Sequence, residues 1–146
     1  MTKEQLEESV EQIMSLSLRK MDREDINREQ LRKACLLKQV EESCDYITVS
    51  CEDIFEFAEK YLYIKRTQVK DYKSVAEAYA KKRIDNNIIK WEIDDLDYLC
   101  QYSFSALNQI RQFPYFEKGI KYLEKVYGFS PAMSVKQLKL IRKSIK

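Results

Sequence analysis

The stretch FAEKYLYIKRTQVKDYKSVAEAY, Phe57 to Tyr79, decides how this chain is read. Phe57, Ala58, Tyr61 and Leu62 recur at helical spacing, and Val69, Tyr72, Ala76 and Tyr79 do so again. The pattern breaks at Tyr63–Ile64 and resumes behind Lys65, Arg66, Thr67 and Gln68. The spacing predicts two helices, near 52–62 and 66–80, crossing steeply with the small side chain of Ala58 against the second helix near Val69. The basic corner between them is either a solvated face or a surface shaped for phosphate.

The chain around it is helical by composition. Of 146 residues only two are glycine and two proline. Strand-rich folds need many tight turns, so this scarcity favours helices and short connections. Hydrophobic residues make up 45% of the chain, enough for one real core. The expected fold class is all-α: a small helical domain with an N-terminal helical hairpin over 1–45 and a core over 46–146.

Cap residues place the remaining helices. Thr2, with Gln5 three residues on, opens a helix over 3–20 that carries Leu6, Val10, Ile13 and Met14, with Met21 at the end of the pattern. DREDIN reads as a turn, with Asn27 capping a second helix and Gln30 at the matching box position. DYITVS reads as an extended connection, with Ser50 capping the next helix and Asp53 in its first turn. Asp85-Asn86-Asn87 is a turn signal, and the run Asp94, Asp95, Asp97 is helix-start chemistry. Helical stretches follow in DDLDYLCQYS and FSALNQIRQF. Pro114 is expected to open a helix ending at Gly128, and Ser134 to cap a short final one. Trp91 is expected to anchor this region with its indole donor left wet. Tyr98, Tyr102, Phe104, Phe113, Tyr115 and Phe116 read mainly as core packing, with a base-stacking platform as the rival use.

Several function classes lose their chemistry at this level. The chain has no histidine, so the commonest general base and the usual partner of a Ser or Cys nucleophile are missing. Cys35, Cys44, Cys51 and Cys100 form no Cys-x-x-Cys pair, which argues against a zinc site and for reduced, mostly buried thiols. Glycine occurs only at 119 and 128, so no phosphate-binding glycine loop can form. No catalytic residue, metal or cofactor is expected. No stretch is long and apolar enough to span a bilayer, and MTKEQLEESVEQ is no signal peptide, so the expected location is cytoplasmic with no membrane partner.

Net charge is only +2, but its distribution is uneven. Residues 1–64 carry nine basic and fifteen acidic side chains, whereas 65–83 carry seven basic against Asp71 and Glu77. Residues 101–146 carry nine basic against Glu117 and Glu124. Two basic segments could be parts of one anion-facing surface, while the acidic N-terminal hairpin suits solvent or a protein partner.

A helix-turn-helix asks for a small residue in its first helix, apolar residues pinning both helices, and polar or basic residues opening the second, whose N-terminal end enters the major groove. Ala58, then Phe57, Tyr61, Ile64, Val69 and Tyr72, then the KRTQV segment supply these. FAEKYLYIKRTQVKDY resembles the common helix-turn-helix pattern, and is similar to that of small DNA-binding proteins of Gram-positive phages, plasmids and integrative elements. YSFSALNQI, residues 102–110, and SPAMSVKQLKLIRKSI, residues 130–145, resemble later segments of such proteins in the same order. Here the turn carries Leu62-Tyr63 where the pattern has glycine, and Asp71 lies on the helix that would read DNA.

The resemblance implies a sequence-specific double-stranded DNA-binding protein, a regulator or replication accessory of a mobile element, acting as a homodimer through the N-terminal hairpin. Lys65, Arg66, Thr67, Gln68, Lys70 and Lys73 would make the contact, with Gln68 and Thr67 on base edges and the cations on phosphate. Lys139, Arg142 and Lys143 of the C-terminal helix would add phosphate contacts. The alternative is a phage-encoded inhibitor of a host defence complex, similar to anti-CRISPR proteins, that turns its acidic hairpin toward a host protein or ribonucleoprotein.

Overall fold

The computed structural model describes residues 1–14 and 22–145. The first helix, α1 (Lys3–Met14), is capped as expected: Thr2 Oγ1 accepts from the Gln5 N–H and Gln5 Oε1 accepts from the Thr2 N–H. The expected continuation to residue 20, and Met21, lie outside the described residues.

The long helix α2 (Arg23–Ser43) starts earlier than Asn27. Asp22 is its cap, accepting from the Asp25 N–H at 2.8 Å, and Glu24 and Asp25 fill the first turn where the helix dipole favours acid. The segment read as a turn is therefore already helix. Asn27 is instead buried within α2, and its amide donates to the Cys100 carbonyl at 2.9 Å.

DYITV is a 3-10 turn (Asp45–Val49), not an extended link, closed at both ends by Cys44 and Ser50 in the left-handed region. Asp53, not Ser50, then caps α3 (Ile54–Leu62) by accepting from the Glu56 N–H. The break after Leu62 is present. Tyr63 adopts φ 56°, and the Tyr63 and Ile64 N–H groups both donate to the Ala58 carbonyl. A 3-10 turn (Arg66–Gln68) leads into α4 (Val69–Tyr79).

The departure from an all-helical chain is a two-stranded antiparallel hairpin, β1 (Lys81–Asp85) and β2 (Ile88–Glu92). Asn86 and Asn87 both take positive φ, the geometry of a two-residue turn that matches the strand twist. The turn signal at Asp85-Asn86-Asn87 was thus a hairpin. Its first strand, Lys-Lys-Arg-Ile-Asp, is exposed throughout and lacks the in–out alternation that marks a strand.

The chain continues through α5 (Leu96–Leu99), α6 (Phe104–Ile110, capped by Ser103), α7 (Ile120–Tyr127) and α8 (Val135–Ser144). Pro114 does not open α7. A 3-10 turn (Phe116–Lys118) intervenes, and Gly119 at φ 95° interrupts any helix begun at Pro114. Gly128 ends α7 in the left-handed region, and Ser134 and Gln137 form a reciprocal box at the start of α8, both as expected.

Two apolar clusters hold the fold, and α2 and α4 belong to both. Ala34, Leu37 and Val40 join Leu6, Phe57, Ala58, Leu62, Val69 and Ala76 in the first. Leu31 and Val75 join Leu99, Leu107, Ile110, Leu123 and Leu138 in the second. A stacked pair, Tyr72 on α4 and Phe104 on α6, joins the two with centroids 4.2 Å apart. No helix among the described residues is long and apolar enough to cross a membrane.

Candidate nucleic-acid interface

The basic corner is built by local hydrogen bonding. Gln68 Oε1 accepts from the Lys65 backbone N–H at 3.3 Å, which fixes the 3-10 turn leading into α4. Lys65, Thr67 and Lys70 are exposed, and none of them forms an ion pair among the described residues. The Arg66 guanidinium lies over the Phe55 ring, 4.5 Å from its centroid, so part of its surface is covered by its own fold.

Lys73 is placed differently from the other cations. Its ammonium lies 2.5 Å from Glu41 on α2. It belongs to a charged seam in which Lys38 pairs with Glu77 at 2.6 Å and Lys82 with Glu42 at 2.5 Å. Lys73 is therefore a structural cation turned toward α2. Gln68 is also partly committed, because the oxygen needed for a two-point grip on adenine caps the Lys65 N–H.

The C-terminal helix comes back to this corner. Gln68 and Asp71 from one side, and Val135 and Lys139 from the other, line one cleft of about 270 Å³. Its floor carries Tyr72, Phe104, Asn108 and Gln109. The Gln109 Oε1 is buried there without a hydrogen-bond partner. Arg142 donates to Gln112 Oε1 at 2.7 Å, while Lys139 and Lys143 are exposed and have no ion pair among the described residues. Lys139 of the second basic segment thus lines one cleft with Gln68 and Asp71 of the first, some seventy positions away.

Electrostatics elsewhere correct other sequence readings. Asp95 is the N-cap residue of α5, without a side-chain cap, and Asp97 lies in its first turn, as helix-start chemistry predicts. Asp97 also pairs with Arg28 at 3.1 Å, and Asp94 pairs instead with Arg83 at 2.9 Å. The Trp91 indole N–H is not wet: it is buried with no acceptor among the described residues, on a strand packed against α2 and with the Lys38 ammonium 5.6 Å from its ring. Of the thiols, Cys51 and Cys100 are buried, Cys35 is half-buried and Cys44 is exposed. Burial pushes the Cys35 thiol up to about 12, helped by the nearby Glu92 carboxylate. It is a poor nucleophile there. Among the described residues, no group of three or more acidic or cysteine side chains could hold a metal ion.

Sequence reasoning missed Asn108, Gln109 and Gln30 as neighbours of the corner. No local signal marks them, since Gln30 reaches the cleft from α2 and Asn108 and Gln109 reach it from α6. No family model matches the chain, and no curated protein or solved structure is significantly similar to it.

Proposed function

We propose that this chain is a double-stranded DNA-binding protein of the regulatory or replication-accessory kind, using the α3–α4 corner as a helix-turn-helix. The observation that carries the reading is the cleft that both Gln68 on the corner and Lys139 on α8 line. Lys139 lines that cleft with Gln68, Lys65 and Lys70 are exposed on the adjoining corner, and Lys143 is exposed one turn beyond Lys139 on α8. Helix N-termini add backbone N–H groups that favour phosphate. In this reading the lysines position the protein on phosphate, and Thr67 and Gln68 meet base edges, Gln68 through its free amide hydrogens. Asp71 would accept from a cytosine amine or repel the backbone, and so acts as a filter on site choice. One corner offers few base contacts, so the bound species is read as a dimer on two half-sites.

The test is a gel shift with random duplex at low salt, followed by selection from a random duplex pool and a salt titration on the selected site. Binding that weakens with salt and converges on one sequence supports the reading. No shift at low salt overturns it.

One observation favours a second reading. Glu4, Glu8 and Glu11 are exposed along α1 and have no cationic partner among the described residues. A row of free carboxylates suits a basic protein surface, such as the nucleic-acid site of a host ribonucleoprotein complex. Loss of partner capture in a Glu4/Glu8/Glu11 charge-reversal variant, with no duplex binding by the parent chain, selects this reading over the first.

A further inference from the structure

We propose that the outer face of α7 and the turn before it form a stacking platform for single-stranded nucleic acid, sharing no residue with the α4/α8 cleft. Three large apolar side chains stand out of this face: Tyr115 is 56% exposed, Tyr122 37% and Val126 51%. Lys118 stands between the two tyrosines, its ammonium 5.5 Å from the Tyr115 centroid and 4.9 Å from that of Tyr122. Lys121 and Lys125 are exposed on the same helix.

The acid on this helix is turned away. The Glu124 carboxylate accepts from the hydroxyls of both Tyr98 and Tyr102, one on each oxygen. Its charge is held by these two hydroxyls. Of the lysines, Lys118 lies between the exposed tyrosines, Lys121 lies over the Tyr98 ring 5.0 Å from its centroid, and Lys125 is exposed. The face is therefore aromatic at its centre and cationic at its rim.

Tyr115 carries the strongest sign that the surface is used. Its backbone is held at φ 64°, a left-handed conformation that costs a bulky residue free energy and that glycine or asparagine adopts cheaply. Tyr115 is more than half exposed, and the Lys118 ammonium lies over its ring. Folding gains little from a tyrosine at this position.

The chemistry selects the occupant. Every base has a π face that stacks on tyrosine, and each linking phosphate meets an ammonium, so a single strand satisfies both features at once without sequence preference. A duplex keeps its base faces stacked internally and can use only the lysines. An anionic lipid surface would also meet the lysines, and the experiment separates it from a single strand.

The full chain is titrated at low salt into a labelled oligothymidylate, a labelled duplex and vesicles of phosphatidylserine and phosphatidylcholine. The variants are Tyr115→Gly, Tyr122→Ala and Lys118→Ala. The oligothymidylate should bind, and each tyrosine change should weaken it about tenfold while leaving duplex affinity unchanged. Lys118→Ala should lower the salt slope on the single strand by about 0.7. Tyr115→Gly should at the same time raise Tm, because it relieves the backbone, so its lost binding cannot come from unfolding. The proposal is overturned if the oligothymidylate does not bind, if the tyrosine variants bind it as the parent does, or if vesicles or duplex respond to the tyrosine changes instead. Because duplex binding is read separately, this proposal and the duplex-binding function fail independently.

Discussion

The Lys73 ammonium lies 2.5 Å from a Glu41 carboxylate oxygen and so joins α4 to α2 across thirty-two positions of sequence. A cation on the helix that would enter a groove is thereby turned to a partly buried pair with α2. Lys73→Ala should cost about 0.5 kcal/mol or less in urea denaturation, since both partners are about a quarter exposed and solvent screens the pair. In a salt titration on duplex DNA it should leave the slope unchanged, whereas Lys70→Ala and Lys139→Ala should each reduce it by about one unit. A Lys73→Ala slope change equal to that of Lys70→Ala means the ion pair opens on binding.

Tyr63 is 75% exposed and sits at φ 56° where the chain turns after α3. The corner itself is made by backbone hydrogen bonds to the Ala58 carbonyl and by the buried Ile64 side chain, so the tyrosine side chain does not hold it. Tyr63→Gly is expected to stabilise the protein by about 0.5–1 kcal/mol through relief of the left-handed backbone. A measured destabilisation in urea would show that the ring has a packing role.

Ala58 is completely buried in the first cluster, beside Phe57 and Leu62. Ala58→Leu adds a branched side chain where there is no exposed surface to take it, and should destabilise by about 1–3 kcal/mol. Chemical denaturation measures this directly, and a neutral result would mean the corner is loosely packed.

The Tyr98–Glu124–Tyr102 cluster makes stability fall in base. The hydrogen bond to Glu124, with burial and the nearby negative charge, holds the Tyr98 hydroxyl up to about 12 from an ordinary value of 10.0. Burial first, and then the same carboxylate, raise Tyr102 as well. Both groups are neutral in the folded state when the unfolded chain begins to ionise. Their contribution is complete below pH 10 and is lost as pH rises toward about 12. Tm followed through that window should drop, and Tyr98→Phe should flatten part of the drop without changing Tm below it by the same amount.

Removing residues 1–44 should abolish cooperative folding. That deletion takes away Leu31, Ala34, Leu37 and Val40, all fully buried, and uncovers Val69, Val75 and Ala76 on α4. Far-UV circular dichroism through a thermal ramp should show no sharp transition for the truncated chain. A retained transition would mean that residues 45–145 hold a core of their own.

What could be read from the sequence alone was decided within three or four residues. Thr2 with Gln5, Ser134 with Gln137, Gly128 after α7 and the break at Tyr63 each rest on hydrogen bonds or backbone angles that their neighbours set. Where two local signals competed, the reading slipped. Asp22 lies ahead of Asn27 and takes the cap, and Gly119 stops the helix that Pro114 would have started. The hairpin stood between these cases, with a readable two-residue turn and a first strand too charged and too exposed to show a period.

Tertiary structure alone decided which side each charge faces. Lys73 and Lys70 are three residues apart and chemically identical, yet one meets Glu41 and the other meets solvent. Gln68 and Lys139 share a cleft, and Glu124 accepts from two tyrosines more than twenty positions away. These are contacts between elements distant in sequence, set by how α2, α4 and α8 pack. Residue type and spacing determine which stripe of a helix is apolar, but a lysine beside that stripe is long enough to reach a partner helix or to stay in water. Which of the two happens depends on what the packed core brings within its reach.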